Sequence, residues 1–87
     1  MKAIVSVIGK DKKGIIAKVT TALYDMQINV EDISQTIMQD YFTMIMMVDM
    51  ANQPLTEINK TLQQIAQNMN VDIRIQHEDI FNCMHKI

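Results

Sequence analysis

An apolar run, an amphipathic run, an alternating run, a second apolar run, a second amphipathic run and a second alternating run follow one another along 87 residues. Read as strand, helix, strand, strand, helix, strand, this order predicts an α+β fold, the ferredoxin-like βαββαβ sandwich. Its antiparallel sheet is ordered 4-1-3-2, with both helices on one face. The character of the strands agrees. The first and third segments are apolar on both parities, as central strands are, while the second and fourth alternate, as edge strands do.

Residues 2–8 (KAIVSVI) are rich in β-branched side chains with little polar alternation, and read as a central strand buried on both faces. Next comes Gly9-Lys10-Asp11-Lys12-Lys13-Gly14, which holds the only two glycines of the chain. Glycine reaches backbone conformations other residues avoid and admits close neighbours, so this turn is the expected seat of special geometry. The helix after it carries Ile15, Ile16, Val19, Leu23 and Met26 on one stripe, with Lys18, Thr21 and Asp25 facing away. Asp11 stands near its N-terminus, where negative charge is favoured.

Residues 28–39 set Ile33 and Ile37 against Asp32, Ser34 and Thr36, giving a half-exposed edge strand. Gln39-Asp40 makes a hairpin turn into Tyr41. The run that follows is apolar on both parities, with Phe42, Met44, Met46 and Val48 on one and Ile45 and Met47 on the other. Pro54 falls in the first turn of a second helix, whose Leu55, Ile58, Leu62, Ile65 and Met69 recur at spacings of three and four. Two heptads are too few for a coiled coil. Val71, Ile73 and Ile75 then alternate with Asp72, Arg74 and Gln76 as the last edge strand, and residues 79–87 place Ile80, Phe81, Met84 and Ile87 at helical spacing, a short C-terminal helix.

With both crossovers right-handed, both helices cover one face, so the other face exposes apolar side chains of the central strands. A patch of that kind marks an interface. The terminal segment around Ile80, Phe81 and Met84 folds over it or a second subunit does; a homodimer with the tail contributing is expected.

Composition narrows the function. The chain is one domain, 1–87, large enough to fold without disulfides or metals. A net charge of −2 and a pI near 5.5 argue against nucleic-acid binding. The single cysteine, Cys83, suits a reducing compartment. The N-terminal apolar run is too short for a signal segment or a membrane span, so a soluble, cytoplasmic protein is expected.

Other occupants of the fold fail on missing residues. Acylphosphatase-like chemistry needs an arginine in the first loop, and the only arginine is Arg74. Heavy-metal carriers need a thiol pair there. RNA-recognition modules need stacking aromatics on the first strand. Lys10, Lys12 and Lys13 lack the P-loop pattern. No catalytic arrangement stands out, and no cofactor is implied. His77, Cys83 and His85 form a poorly spaced metal set.

VIGKDKKGIIAKV resembles the strand–Gly-x-Asp-x-x-Gly–helix signature of the ACT domain, and residues 28–36 (INVEDISQT) resemble its second strand. DISQT, DYFTM and the terminal IF-x-x-MH-x-I look much like the stand-alone single-ACT proteins of bacteria and archaea, so the resemblance spans the chain. Lys13 departs from it, since many ACT domains have proline there.

The resemblance implies a non-enzymatic regulatory module that binds a small metabolite, an amino acid, between two domains and signals to a partner such as an enzyme. By position it implicates Gly9, Asp11, Gly14 and Ile15 in the loop and Asn29 at the opposite wall. Backbone N–H groups at the helix start suit a carboxylate, Asp11 an ammonium group, and the Asn29 amide either kind of partner. A ligand-free interaction module and a metal sensor remain the alternatives.

Overall fold

Val5 stands between Met46 on one neighbouring strand and Ile75 on the other, and none of the three is more than 9% exposed. That row marks the core face. In the computed structural model, which describes residues 2–10 and 12–79, the elements are β1 (Lys2–Gly9), α1 (Lys12–Asp25), β2 (Asn29–Met38), β3 (Tyr41–Asp49), α2 (Leu55–Met69) and β4 (Asp72–His77). The sheet is antiparallel and ordered β2-β3-β1-β4, the predicted order read from the other edge.

Strand side chains alternate between faces. Ala3, Val5, Val7, Phe42, Met44, Met46, Val48, Ile73 and Ile75 point to one face and bury against Ile15, Val19, Leu23, Ile58, Leu62 and Ala66 of the helices. Both helices therefore cover the same face, as expected. The opposite face carries Ile4, Ile8, Ile45 and Met47. Ile8 and Ile45 remain 46% and 39% exposed, so the central strands are not fully buried on both sides. No helix among the described residues is long and apolar enough to cross a membrane.

Three expectations change. First, α1 begins at Lys12, so Gly14 lies in its first turn and not in the loop. No described glycine has a positive φ; the left-handed residues are Gln27, Gln39, Ala51 and Asn70. Two of them end helices. Ile28 N–H donates to Leu23 C=O and Val71 N–H to Ala66 C=O, the six-to-one bond of a helix that closes through a left-handed residue. Second, Pro54 is the N-cap of α2 and precedes its first turn. Third, β2 is exposed along nine of its ten residues, more than the half expected. The helices lie over β1, β3 and β4, and α1 reaches β2 only near its start.

A β-bulge at Glu31 explains which face β2 shows. Val30 pairs with Val48 on the helix side, and the register then shifts so that Ile33, Gln35 and Ile37 face Met46, Met44 and Phe42. One extra residue flips every later side chain to the other face. Without it Asp32 would sit on the core side. The far edge is finished differently: Gln63 Nε2 of α2 donates to the Ile73 carbonyl of β4 at 2.7 Å.

Candidate functional site

Gly9 closes β1 opposite Phe42, and its lack of a side chain is structural. A Cβ there would meet Val71 Cγ1 at 2.5 Å and Ile15 Cδ1 at 2.7 Å. The close approach joins the end of β1 to the α2–β4 connection. The result is an open groove of about 350 Å³ lined by Ile8, Gly9, Lys10, Tyr41, Asn70, Val71 and Asp72. Lys10 Nζ lies 5.3 Å from the centroid of the Tyr41 ring, within cation–π range. The groove thus brings the Lys10 ammonium and the Tyr41 ring together with Asn70 and Asp72, whose carboxylate lies 3.4 Å from Arg74 Nε, around a backbone with no side chain.

The loop residues named from the sequence distribute unevenly. Gly9 lines this groove. Gly14 is in the first turn of α1. Ile15 is fully buried in the core, so its side chain is unavailable and only its backbone remains near the helix start. Asp11 lies outside the described residues. Sequence reasoning passed over Tyr41, Asn70 and Asp72 as site residues because they are distant along the chain. The hairpin register, with Met38 opposite Tyr41, was the signal that could have placed Tyr41 at this end of the sheet.

Asn29 lies elsewhere. It opens β2 opposite Asp49, whereas Gly9 is opposite Phe42 on the same strand. At ~3.3 Å per residue the seven steps between those partners separate the two by about 23 Å along the sheet. Asn29 lines a second groove of about 500 Å³ with Thr20, Thr21, Tyr24, Ile28, Val30 and Ile33. Thr20 spends its hydroxyl on the Ile16 carbonyl at 2.6 Å, while Tyr24 is 80% exposed. Within one chain, then, the two walls of the expected site are not brought together.

Charge collects near Asn29. Lys2 Nζ reaches past β3 to Glu31 Oε1 at 2.9 Å, and that hydrogen bond raises the lysine above its ordinary pKa. The Ala51 N–H, 3.0 Å from Asp49 Oδ1, holds the Asp49 carboxyl below the usual carboxylate range. His77 Nδ1 accepts from the Asp79 N–H at 3.1 Å. Cys83 and His85 lie outside the described residues, as does the tail segment with Ile80, Phe81, Met84 and Ile87. Among the described residues no three His, Cys, Asp or Glu side chains gather as a metal site, and no polar side chain is buried.

The sequence model of the ACT domain matches residues 2–76. A UPF0237 protein of Clostridium acetobutylicum is 49% identical over 89 residues, covering the whole of both chains. The structure of an ACT domain protein from Streptococcus pneumoniae superimposes with a TM-score of 0.82 at 41% identity, over 93% of each chain. The regulatory subunit of aspartate kinase from Thermus thermophilus, in its ligand-free form, is similar at a TM-score of 0.69 and 25% identity, over 86% of this chain and 50% of that one.

Proposed function

Because the chain belongs to the ACT domain family of regulatory, small-ligand-binding modules, we propose that it is a non-enzymatic, dimeric, cytoplasmic regulator that binds an amino acid and signals its presence to a partner protein. The observation that carries this reading is the groove at Gly9. Lys10 and Asp72 offer opposite charges on its walls, the complement of an amino acid's carboxylate and ammonium. Tyr41 and Ile8 offer apolar surface for a side chain. Asp11 and the start of α1 beside Gly14 and Ile15 are the neighbouring groups by position. Asn29 contributes from a second copy, since its own chain holds it at the other end of the sheet. Occupancy would shift the population of a conformation that the partner reads.

A thermal-shift screen of the full chain against the amino acids tests this. A ligand at a hundred times its Kd stabilises by about 2.7 kcal/mol, on the order of ten degrees for a domain of this size. Lys10→Ala and Asp72→Ala should each abolish the shift. No shift with any amino acid would sink the proposal.

The exposed face around Ile8 and Ile45 favours a second reading, an interaction module that binds a partner without a ligand. Under it Ile45→Lys abolishes partner capture while no amino acid changes the melting temperature.

A further inference from the structure

The sheet face away from the helices is unevenly exposed. Ile4 and Ile8 both lie on it, one strand apart in neither case, yet Ile4 is 6% exposed and Ile8 46%. Met47 and Gln76, the partners of Ile4 on β3 and β4, are half-buried, whereas Ile45, Arg74 and Asp72 further along are exposed. Both helices pack on the other face, so neither covers Ile4. The closed end is the one where β4 hands the chain on, with His77 opposite Ala3. There Glu78 and Asp79 are already helical. His77 Nδ1 accepts the Asp79 N–H at 3.1 Å, the place of an N-cap side chain, and two carboxylates in a first turn suit the positive end of a helix. Glu78 also reaches the open face, because Lys2, which alternates with Ala3, has its pKa raised first by Glu31 and further by Glu78.

We infer that residues 80–87 continue this helix across the open face of their own chain and cover Ile4, Met47 and Ile45. They carry Ile80, Phe81, Met84 and Ile87 on one stripe, with Asn82, His85 and Lys86 turned away from it. Such a stripe needs an apolar partner, and the helix side of the sheet is already filled. The lengths agree. Residues 78–87 make a helix about 15 Å long, and the three strand spacings from β4 to β2 come to about 14 Å.

On that path lies an open depression of about 230 Å³ between Ile4, Ile45, Met47, Asp32 and Ser34. Its apolar side seats the Phe81 ring. Its rim at Asp32 meets no like charge, since the only charged side chain of residues 80–87 at neutral pH is Lys86. The cover comes from the same chain because the segment is joined directly to β4. Such a tether holds it over the face at an effective concentration on the order of millimolar, which a second copy's tail matches only in millimolar protein. A protein that used the Ile45 surface would first have to displace the segment, which makes it an inhibitory strap on that surface. The Gly9 groove lies at the other end of the sheet and stays open.

The test is thiol protection in full-length chain carrying Cys83→Ser. Ile4→Cys and Val5→Cys, made separately, place a thiol on either face of one strand, the first under the segment and the second under the helices. Both should alkylate slowly. Adding Phe81→Ala should speed the Ile4→Cys chain at least about tenfold and leave the Val5→Cys chain unchanged, because only a local opening is involved. Phe81→Asp should act in the same sense and more strongly. Asn82→Ala, on the side turned away from the sheet, should change neither rate. Protection of the Ile4→Cys thiol should also be equal at about 1 and about 100 micromolar protein, as a tethered cover requires. No acceleration by Phe81→Ala, an equal acceleration at both positions, or protection that fades on dilution overturns the proposal. None of these results bears on the amino-acid screen.

Discussion

Val71 Cγ1 occupies the place where a Cβ of residue 9 would be: only 2.5 Å separates that atom from the position a Gly9 side chain would take. The end of β1 and the entry to β4 are thus locked together by the absence of an atom.

Gly9→Ala should accordingly destabilise the fold by about 1–3 kcal/mol, the usual effect of overpacking a filled site. Val71 is β-branched and stiff, so it cannot turn away cheaply. Val71→Ala in the same chain should recover part of the loss, with a coupling of at least about 0.5 kcal/mol in a double-mutant cycle by urea unfolding. Additive effects would show that Gly9 is needed for something other than room.

The bond from Gln63 Nε2 to the Ile73 carbonyl predicts a second measurement. Gln63→Ala removes the donor from a partly buried acceptor and should lower stability by about 1 kcal/mol. Its exposed neighbour Gln64 is the control, with Gln64→Ala expected to stay within about 0.5 kcal/mol of the parent. Equal effects at the two positions would deny the bond any weight.

Stability should fall off differently at the two ends of the pH range. The Ala51 N–H depresses the Asp49 pKa in the folded chain. Its contribution is complete above the unfolded value of about 3.9 and is lost as pH falls through the lower folded value. Lys2 is the opposite case, raised by Glu31. Its contribution is complete below the unfolded value of about 10.4 and is lost as pH rises through the folded one. Melting temperature against pH should therefore show a flatter acid limb for Asp49→Asn and a flatter alkaline limb for Glu31→Gln. Exchange of those two phenotypes would refute the assignment.

The order of elements and the sheet topology were legible because the apolar periodicity states them. Two-sided runs at 3–8 and 42–48 read as interior strands, and the spacing from Leu55 to Met69 as a helix. What escaped was set by backbone detail that side-chain chemistry does not announce. Glycine in a turn invites a left-handed reading, yet Gln27 and Asn70 take that conformation at the helix ends while the glycines do not. Gly9 is there for Val71, a neighbour 62 positions away in number and adjacent in space. The alternation of β2 named the right residues, but only the Glu31 bulge decides their face, and a bulge leaves no mark in composition. The site divided for the same reason. Gly9 and Asn29 bracket one helix in sequence, so they look like neighbours, whereas α1 carries the chain from one end of the sheet to the other.

An open sheet has two margins, and here they are unequal. Gln63, from the helix layer, stands on the Ile73 carbonyl of β4, while on β2 the Ile33 N–H is met by the Asp32 carboxylate of the same strand. Two adhesive margins would make the same sheet a monomer for an endless ribbon. The Gln63 amide on α2 works against that at the β4 margin, because it holds a carbonyl that an added strand would need.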